Sequence, residues 1–306
     1  MNRREFLLGG LCAVAGGCRL FTRSSRDFDE SLTVFISDVH VHPLGHQVPR
    51  LQAVVADILR LDPLPRRVVC FGDLAYLFGK VEDYRTSRPL LEPLRAAGIE
   101  LVFGHGNHDR RAEFFEVWPE YAGKSPVRDR LVSETDLGPC DLVMLDTLWQ
   151  QPDPKARWIT EGQLKGEQMD WLMAEFKRRT RPFFLCAHHP VAEIVDGKSK
   201  EINDALMAAP ACVGWIHGHD HVWRPGLLAP SKRKWGDNAF KRLLCLPSTG
   251  HWGDIGFVCA RTTPTSLRAE LVIKDHFFPK PEKRVAADDD YVAEKRGAFM
   301  TFRWGA

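Results

Sequence analysis

Short apolar runs alternate with amphipathic stretches along most of the chain. Leu32–Ser37 (LTVFIS) is rich in β-forming residues and predicts a strand, followed by a helical stretch over about 48–61. Arg67–Phe71 (RVVCF) predicts the next strand, then a helix over about 81–97 that Gly98 ends, then a third strand at Ile99–Phe103. This β-α-β-α-β order implies a parallel sheet with right-handed crossovers. Further on, Asp141–Thr147 predicts a strand and Glu161–Arg178 a helix; Met169, Leu172, Met173 and Phe176 fall at i, i+3, i+4 and i+7 and form one apolar face. Pro182–Ala187 and Val213–His217 predict further strands, and Leu243–Leu246, Phe257–Ala260 and Leu267–Ile273 read as closing strands of a second sheet. The expected architecture is α/β: a four-layer α/β/β/α sandwich of two mixed sheets flanked by helices. The domain is expected over residues 30–275, followed by a tail over 276–306 that holds Pro-Lys-Pro-Glu-Lys-Arg and Asp288-Asp289-Asp290 and closes on an apolar run, Phe299–Trp304.

Composition narrows the options. With 306 residues, 44% of them hydrophobic, the chain can bury a large core, and no linker breaks the pattern in the middle, which favours one domain. A net charge of +2 gives no bulk electrostatic reason to expect a nucleic-acid or membrane-surface binder. Cys70, Cys140, Cys186, Cys212, Cys245 and Cys259 lie mostly inside apolar runs without CxxC spacing, as buried free thiols do.

The first 25 residues read as a targeting segment. Asn2-Arg3-Arg4-Glu5-Phe6-Leu7 resembles the twin-arginine export signal, and the apolar run from Leu7 to Gly17 is shorter than the about 20 residues that span a bilayer. Cys18, after Ala15-Gly16-Gly17, is a candidate lipid-attachment cysteine, and such an anchor is the one membrane contact expected. The expected location is the periplasm or cell envelope.

The chemistry sits where predicted strands give way to loops. Asp38 and His40 lie in SDVH, Asp73 in FGD, Asn107 in GNHD, His188 in AHHP, and His219 and His221 in GHDH. In open α/β sheets ligands bind beyond the carboxyl ends of the strands, so these motifs are expected at one sheet edge. Asp38 and His40 are two apart, as are His219 and His221, and in extended backbone such pairs point the same way. Two carboxylates, one amide oxygen and four imidazoles, with no thiolate, suit Fe, Mn, Zn or Ni. Asp73 stands alone in its motif and is the natural bridge between two ions. Two divalent ions about 3.5 Å apart repel by roughly 19 kcal/mol at an effective dielectric of about 20. A shared carboxylate and a shared hydroxide offset much of that, and the residual positive charge calls for an anionic substrate such as a phosphate ester, attacked in line by the hydroxide.

In their order, these blocks resemble the calcineurin-like metallophosphoesterase superfamily, over about residues 32–260. The resemblance implies two divalent or mixed-valence metal ions. Asp38, His40, Asp73 and His221 would hold one; Asp73, Asn107, His188 and His219 would hold the other. It implies that His108 is the catalytic histidine near the leaving-group oxygen, with Asp109 orienting it. GNHDR and AHHP look like the bacterial cyclic-nucleotide and glycerophosphodiester phosphodiesterases, although Val191 replaces a proline often found there. The implied activity is phosphodiester hydrolysis of a small substrate, with a phosphomonoesterase as the alternative and a non-catalytic scaffold of the same fold behind it. No specific nucleic acid is expected. His188 rather than His189 is the expected ligand of its pair. Tyr76 is expected in the pocket or core, and His251 and Trp252 are candidates for a loop facing the metals.

Overall fold

The computed structural model describes residues 27–151, 159–195, 198–230, 240–277 and 288–305. The expected targeting segment and Cys18 lie outside the described residues. Two six-stranded sheets form the centre. The first contains β1 (Phe28–Ile36), β2 (Leu64–Cys70), β3 (Glu100–Phe103), β10 (Gly253–Thr263), β11 (Ser266–Phe277) and β12 (Phe299–Arg303), in the order β12-β11-β10-β1-β2-β3. The second contains β4 (Ser133–Asp136), β5 (Asp141–Met144), β6 (Phe183–Ala187), β7 (Cys212–His217), β8 (Arg224–Leu228) and β9 (Lys241–Cys245), in the order β4-β5-β6-β7-β9-β8. Strands β1, β2 and β3 run parallel, as do β5, β6, β7 and β9; antiparallel pairs edge the second sheet on both sides and the first sheet at its β12 side.

The central strands are apolar on both faces because both faces are covered. Along β1, Val34 and Ile36 point to a core shared with α1 (Gln47–Ile58) and α2 (Val81–Ala96), while Phe35 points to the core between the sheets. On β6 the same alternation sends Phe184 and Cys186 inward, and Phe183, Leu185 and Ala187 toward α4 (Glu167–Arg178) and α5 (Lys198–Ala208). Helix, sheet, sheet and helix thus make four layers. The short α3 (Arg111–Val117) follows the GNHD loop.

Three local expectations need correction. The 257–260 and 267–273 runs do not close the second sheet: they belong to β10 and β11, a hairpin that pairs antiparallel with β1 and covers an edge that β1 would otherwise expose. The second sheet is closed by β9 and β8 instead. Helix α4 starts at Glu167 rather than 161, because Gly166 takes φ 57° and Gly162 is held in a bridge to Ile194. The boundary expected at residue 276 falls inside β11, and the closing apolar run forms β12 on the sheet edge. All six described cysteines are free, five of them buried.

Phe302 on β12 is fully buried between the sheets and packs edge-on against Phe184, ring centroids 5.0 Å apart. Phe302→Ala is expected to cost about 3–5 kcal/mol, the usual range for an aromatic removed from a packed core. Urea unfolding checks this, and a loss below about 1 kcal/mol would show that β12 is not part of the core.

Candidate metal centre

Each parallel strand releases its chain at the same edge, so the five motifs arrive together. The loops after β1 and β2 lie side by side: Asp38 N–H donates to Gly72 O (3.2 Å), His40 N–H to Asp73 O (2.8 Å) and Val41 N–H to Leu74 O (3.0 Å). Among the described residues six non-glycines have positive φ, and five of them are Asp38, His40, Asp73, His219 and His221. The expectation of extended i, i+2 pairs is therefore wrong in mechanism: left-handed backbone, not a pleat, turns these side chains inward. Close approach adds to this. A side chain on Gly106 would collide with the Asp73 carboxylate, and one on Gly218 with Ser37 and Asp38.

Two donor groups result. In one, His221 Nε2 lies 3.1 Å from Asp38 Oδ1, and His40 Nε2 lies 3.3 Å from His221 Nε2. In the other, Asn107 Oδ1 is 3.1 Å from both His188 Nε2 and His219 Nδ1, and those two nitrogens are 3.2 Å apart. Asp73 Oδ2 stands between the groups, 3.5 Å from His40 Nε2 and 3.1 Å from His188 Nε2. His219 and His221 diverge, one into each group. Of the HHP pair, His188 faces Asp73, whereas His189 turns to Thr147 Oγ1 (2.7 Å).

The hydrogen bonds around the rings test whether a metal fits. A carbonyl oxygen only accepts, so the nitrogen facing it carries the proton. His40 Nδ1 meets Tyr76 O (3.0 Å), His221 Nδ1 meets Trp252 O (3.1 Å) and His188 Nδ1 meets Phe71 O (3.0 Å). Glu193 takes the Nε2 proton of His219 at 3.1 Å. A neutral ring held this way presents a lone pair to the centre, and two lone pairs facing each other at 3.2–3.3 Å repel unless a proton or a metal ion lies between them. Such outer partners are what fix the rings of metal-bound histidines. The charges agree. Burial alone would raise Asp38 and Asp73, but the neighbouring imidazoles outweigh it and hold both carboxyls below the usual range. Burial opposes charge on His188, yet Asp73 and Asp38 lift it to about 9, so positive charge is favoured there. Nitrogen and oxygen donors, all buried or nearly so, fit two divalent ions.

His108 reaches the same centre. Its N–H donates to Asp73 Oδ1 (2.8 Å), its Nδ1 meets Leu77 O (3.1 Å), and its Nε2 lies 3.8 Å from Asp73 Oδ2. Asp109, expected to orient this ring, instead accepts from the Ala75 and Gly106 amides (3.1 and 2.9 Å) and the Tyr84 hydroxyl (3.0 Å). It fixes the two loops, and the ring is oriented by a carbonyl. The Tyr76 phenol packs at the rim near His42 and His251, and its carbonyl, not its hydroxyl, meets the donor set. His251 lies 4.4 Å from the His40 ring, and Trp252 stacks on His221 at 4.1 Å. His105 faces Asp146, away from the centre.

Several positioning residues escaped the sequence. Glu193 is five residues past His188 but carries no motif. Ser248 Oγ donates to Asp38 O (2.8 Å). Asp254, fully buried, donates its N–H to His221 O (2.8 Å) and accepts from Trp223 N–H (2.7 Å), His276 Nδ1 (2.7 Å) and Tyr291 OH (3.4 Å). Through Asp254 the end of β11 and helix α6 (Asp288–Lys295) bracket the backbone of His221.

The calcineurin-like phosphoesterase family model matches residues 32–223. The chain belongs to this family. Among curated relatives it is 32% identical over 128 residues to a cAMP/cGMP dual specificity phosphodiesterase of Mycobacterium tuberculosis, covering 41% of this chain and 37% of that protein. It is 26% identical over 174 residues to a probable cyclic nucleotide phosphodiesterase of Synechococcus, covering 57% of this chain and 60% of the relative. In both cases the chain spans less than two thirds of the relative's length. Among solved structures, a dimetal phosphatase from Danio rerio superposes with a TM-score of 0.60 at 14% identity, over 78% of this chain and 95% of that one. PhoD superposes with a TM-score of 0.59 at 15% identity, over 82% and 67%. At these identities the likeness concerns the fold.

Asp254→Asn leaves the side-chain volume almost unchanged but loosens the bracket on His221. It is expected to keep the circular dichroism spectrum and to weaken Mn2+ binding about 10- to 100-fold at one of two sites. Calorimetric titration reads this; two sites at unchanged affinity would contradict it.

Proposed function

We propose that this protein hydrolyses small-molecule phosphodiesters with two divalent metal ions. Asp38, His40, Asp73 and His221 would hold one ion, and Asp73, Asn107, His188 and His219 the other. The observation that carries the reading is Asp73 Oδ2, a buried carboxylate oxygen within 3.5 Å of an imidazole from each donor group. When bound, the ions supply Lewis-acid activation of water and neutralise phosphoryl oxygens. Fe, Mn, Zn and Ni all suit the donors.

The chain's own residues do the rest. Carbonyls and Glu193 keep the imidazole lone pairs aimed inward. Leu77 O takes the Nδ1 proton of His108, so Nε2 is the nitrogen that exchanges a proton with the leaving oxygen. Asp73 Oδ1 holds the His108 amide and so couples the bridge to that ring. Diester hydrolysis is supported by the two relatives named as phosphodiesterases. Residues 1–25 are read as an export segment of twin-arginine type, which cell fractionation tests.

Metal-loaded protein is expected to turn over bis-p-nitrophenyl phosphate faster than p-nitrophenyl phosphate; turnover of the monoester alone would replace the diesterase reading with a phosphomonoesterase. Asp73→Asn is expected to lose bound metal. His108→Ala should retain metal and lose about 10²–10⁴-fold in rate, and a variant as fast as the parent would remove His108 from the chemistry.

A further inference from the structure

The turn that carries His219 and His221 has a second face. His217 ends β7 and Cys245 ends β9, and the two strands pair in parallel with these residues directly opposite. Strand alternation puts both on the face that holds Trp215 and Leu243, away from the core between the sheets. Asp220 lies between His219 and His221 in sequence. Those two rings turn into the metal centre, while Asp220 Oδ2 turns back to lie 4.0 Å from Cys245 Sγ. A ring nitrogen of His217, a carboxylate oxygen of Asp220 and the Cys245 sulfur all lie within 4.8 Å of one another. None of the three belongs to the two donor groups of the centre.

The spacing and the chemistry suit a cation. Gly218 O sits among the three side chains, 2.8 Å from His217 Nδ1 and 3.5 Å from Cys245 Sγ, and is available as a fourth donor. In a tetrahedral zinc site, with Zn–S about 2.3 Å and Zn–O about 2.0 Å, sulfur and oxygen ligands stand about 3.5 Å apart. The sulfur therefore already lies near ligand spacing from both oxygens. The centre on the front of the turn offers nitrogen and oxygen alone. A sulfur ligand at the back selects Zn2+ or Cd2+ over Mn2+. The cluster is closed on the inside and open on one side. His217 and Cys245 are each 1% exposed, whereas the Asp220 side chain is 27% exposed and pairs with Arg224, itself 59% exposed. Arg224 stands opposite Cys245 on β8, so a positive group already guards the opening. An exposed ion pair is weak and gives way to a divalent ion.

We propose that His217, Asp220, Cys245 and the Gly218 carbonyl form a third cation site, separate from the two-ion centre, which takes one Zn2+ or Cd2+. On binding, the S–H bond of Cys245 breaks, its electron pair forms the sulfur–metal bond and the proton leaves to solvent. The neutral imidazole of His217 supplies its lone pair without losing a proton. Thiolate and carboxylate then balance the two charges of the ion, and Arg224 is released. The ion clamps the ends of β7 and β9 to the back of the turn whose front holds His219 and His221. The site stands whether or not the front centre hydrolyses phosphodiesters.

Titration of the full chain with Cd2+ tests this. The parent is expected to bind one ion more than Cys245→Ser, and that ion alone gives ultraviolet sulfur-to-cadmium charge-transfer absorption. About one proton should leave with it, read by calorimetry in two buffers of different ionisation enthalpy. Asp220→Asn keeps the sulfur and should weaken this ion at least about tenfold, since a direct ligand counts for no less than the outer partner of one. Arg224→Ala should tighten it about two- to fivefold, the size of an exposed ion pair. Circular dichroism checks that each variant is folded; should Cys245→Ser fail to fold, Asp220→Asn decides. Equal ion counts and equal absorption in the parent and Cys245→Ser overturn the site. So does unchanged affinity in folded Asp220→Asn, or an absorption that Cys70→Ser abolishes instead.

Discussion

Imidazole lone pairs that face one another inside a protein repel unless a cation lies between them, and the candidate centre is built around that constraint. His40 faces His221 and His188 faces His219, with their outer nitrogens committed to Tyr76 O, Trp252 O, Phe71 O and Glu193. Rotating one of these rings would break its bond to a carbonyl or to Glu193. The Asp73 carboxylate joins the two pairs, and its own position is tied to the His108 amide.

Holding such a cluster is unfavourable in itself. Five of the seven donor residues adopt left-handed backbone, at about 1–3 kcal/mol each. The cost is carried by the fold: strands buried on both faces fix where each loop begins, and glycines at 72, 106 and 218 let one loop press against the next. The C-terminal quarter contributes as well. The β10–β11 hairpin covers β1, and Asp254 at the head of β10 ties His276 and Tyr291 to the His221 loop. Segments beyond residue 223, where the family match ends, are thus part of the support for a donor that precedes it.

Most of the layered fold could be read from apolar runs, because parallel strands buried on both sides leave an unambiguous signature between amphipathic helices. The assignment of 257–273 to a sheet could not, since an antiparallel hairpin of alternating residues looks the same on either edge; only the need to cover β1 decides it. The donor residues were visible as motifs at strand ends, and the structure brings all seven together. What remained invisible were partners without a pattern. Glu193, Ser248 and Asp254 act through hydrogen bonds across 22 or more residues. Asp109 looked like a partner of His108 because it is adjacent in sequence, yet its oxygens go to amides of two loops. The i, i+2 spacing pointed to convergence for a reason that the backbone does not use.

Anomalous diffraction from crystals grown with Mn2+ tests the central claim most directly. Two peaks about 3.5–4 Å apart are expected, one among Asp38, His40 and His221, the other among Asn107, His188 and His219, with an Asp73 carboxylate oxygen between them. A single peak, or two peaks that do not share Asp73, would contradict it.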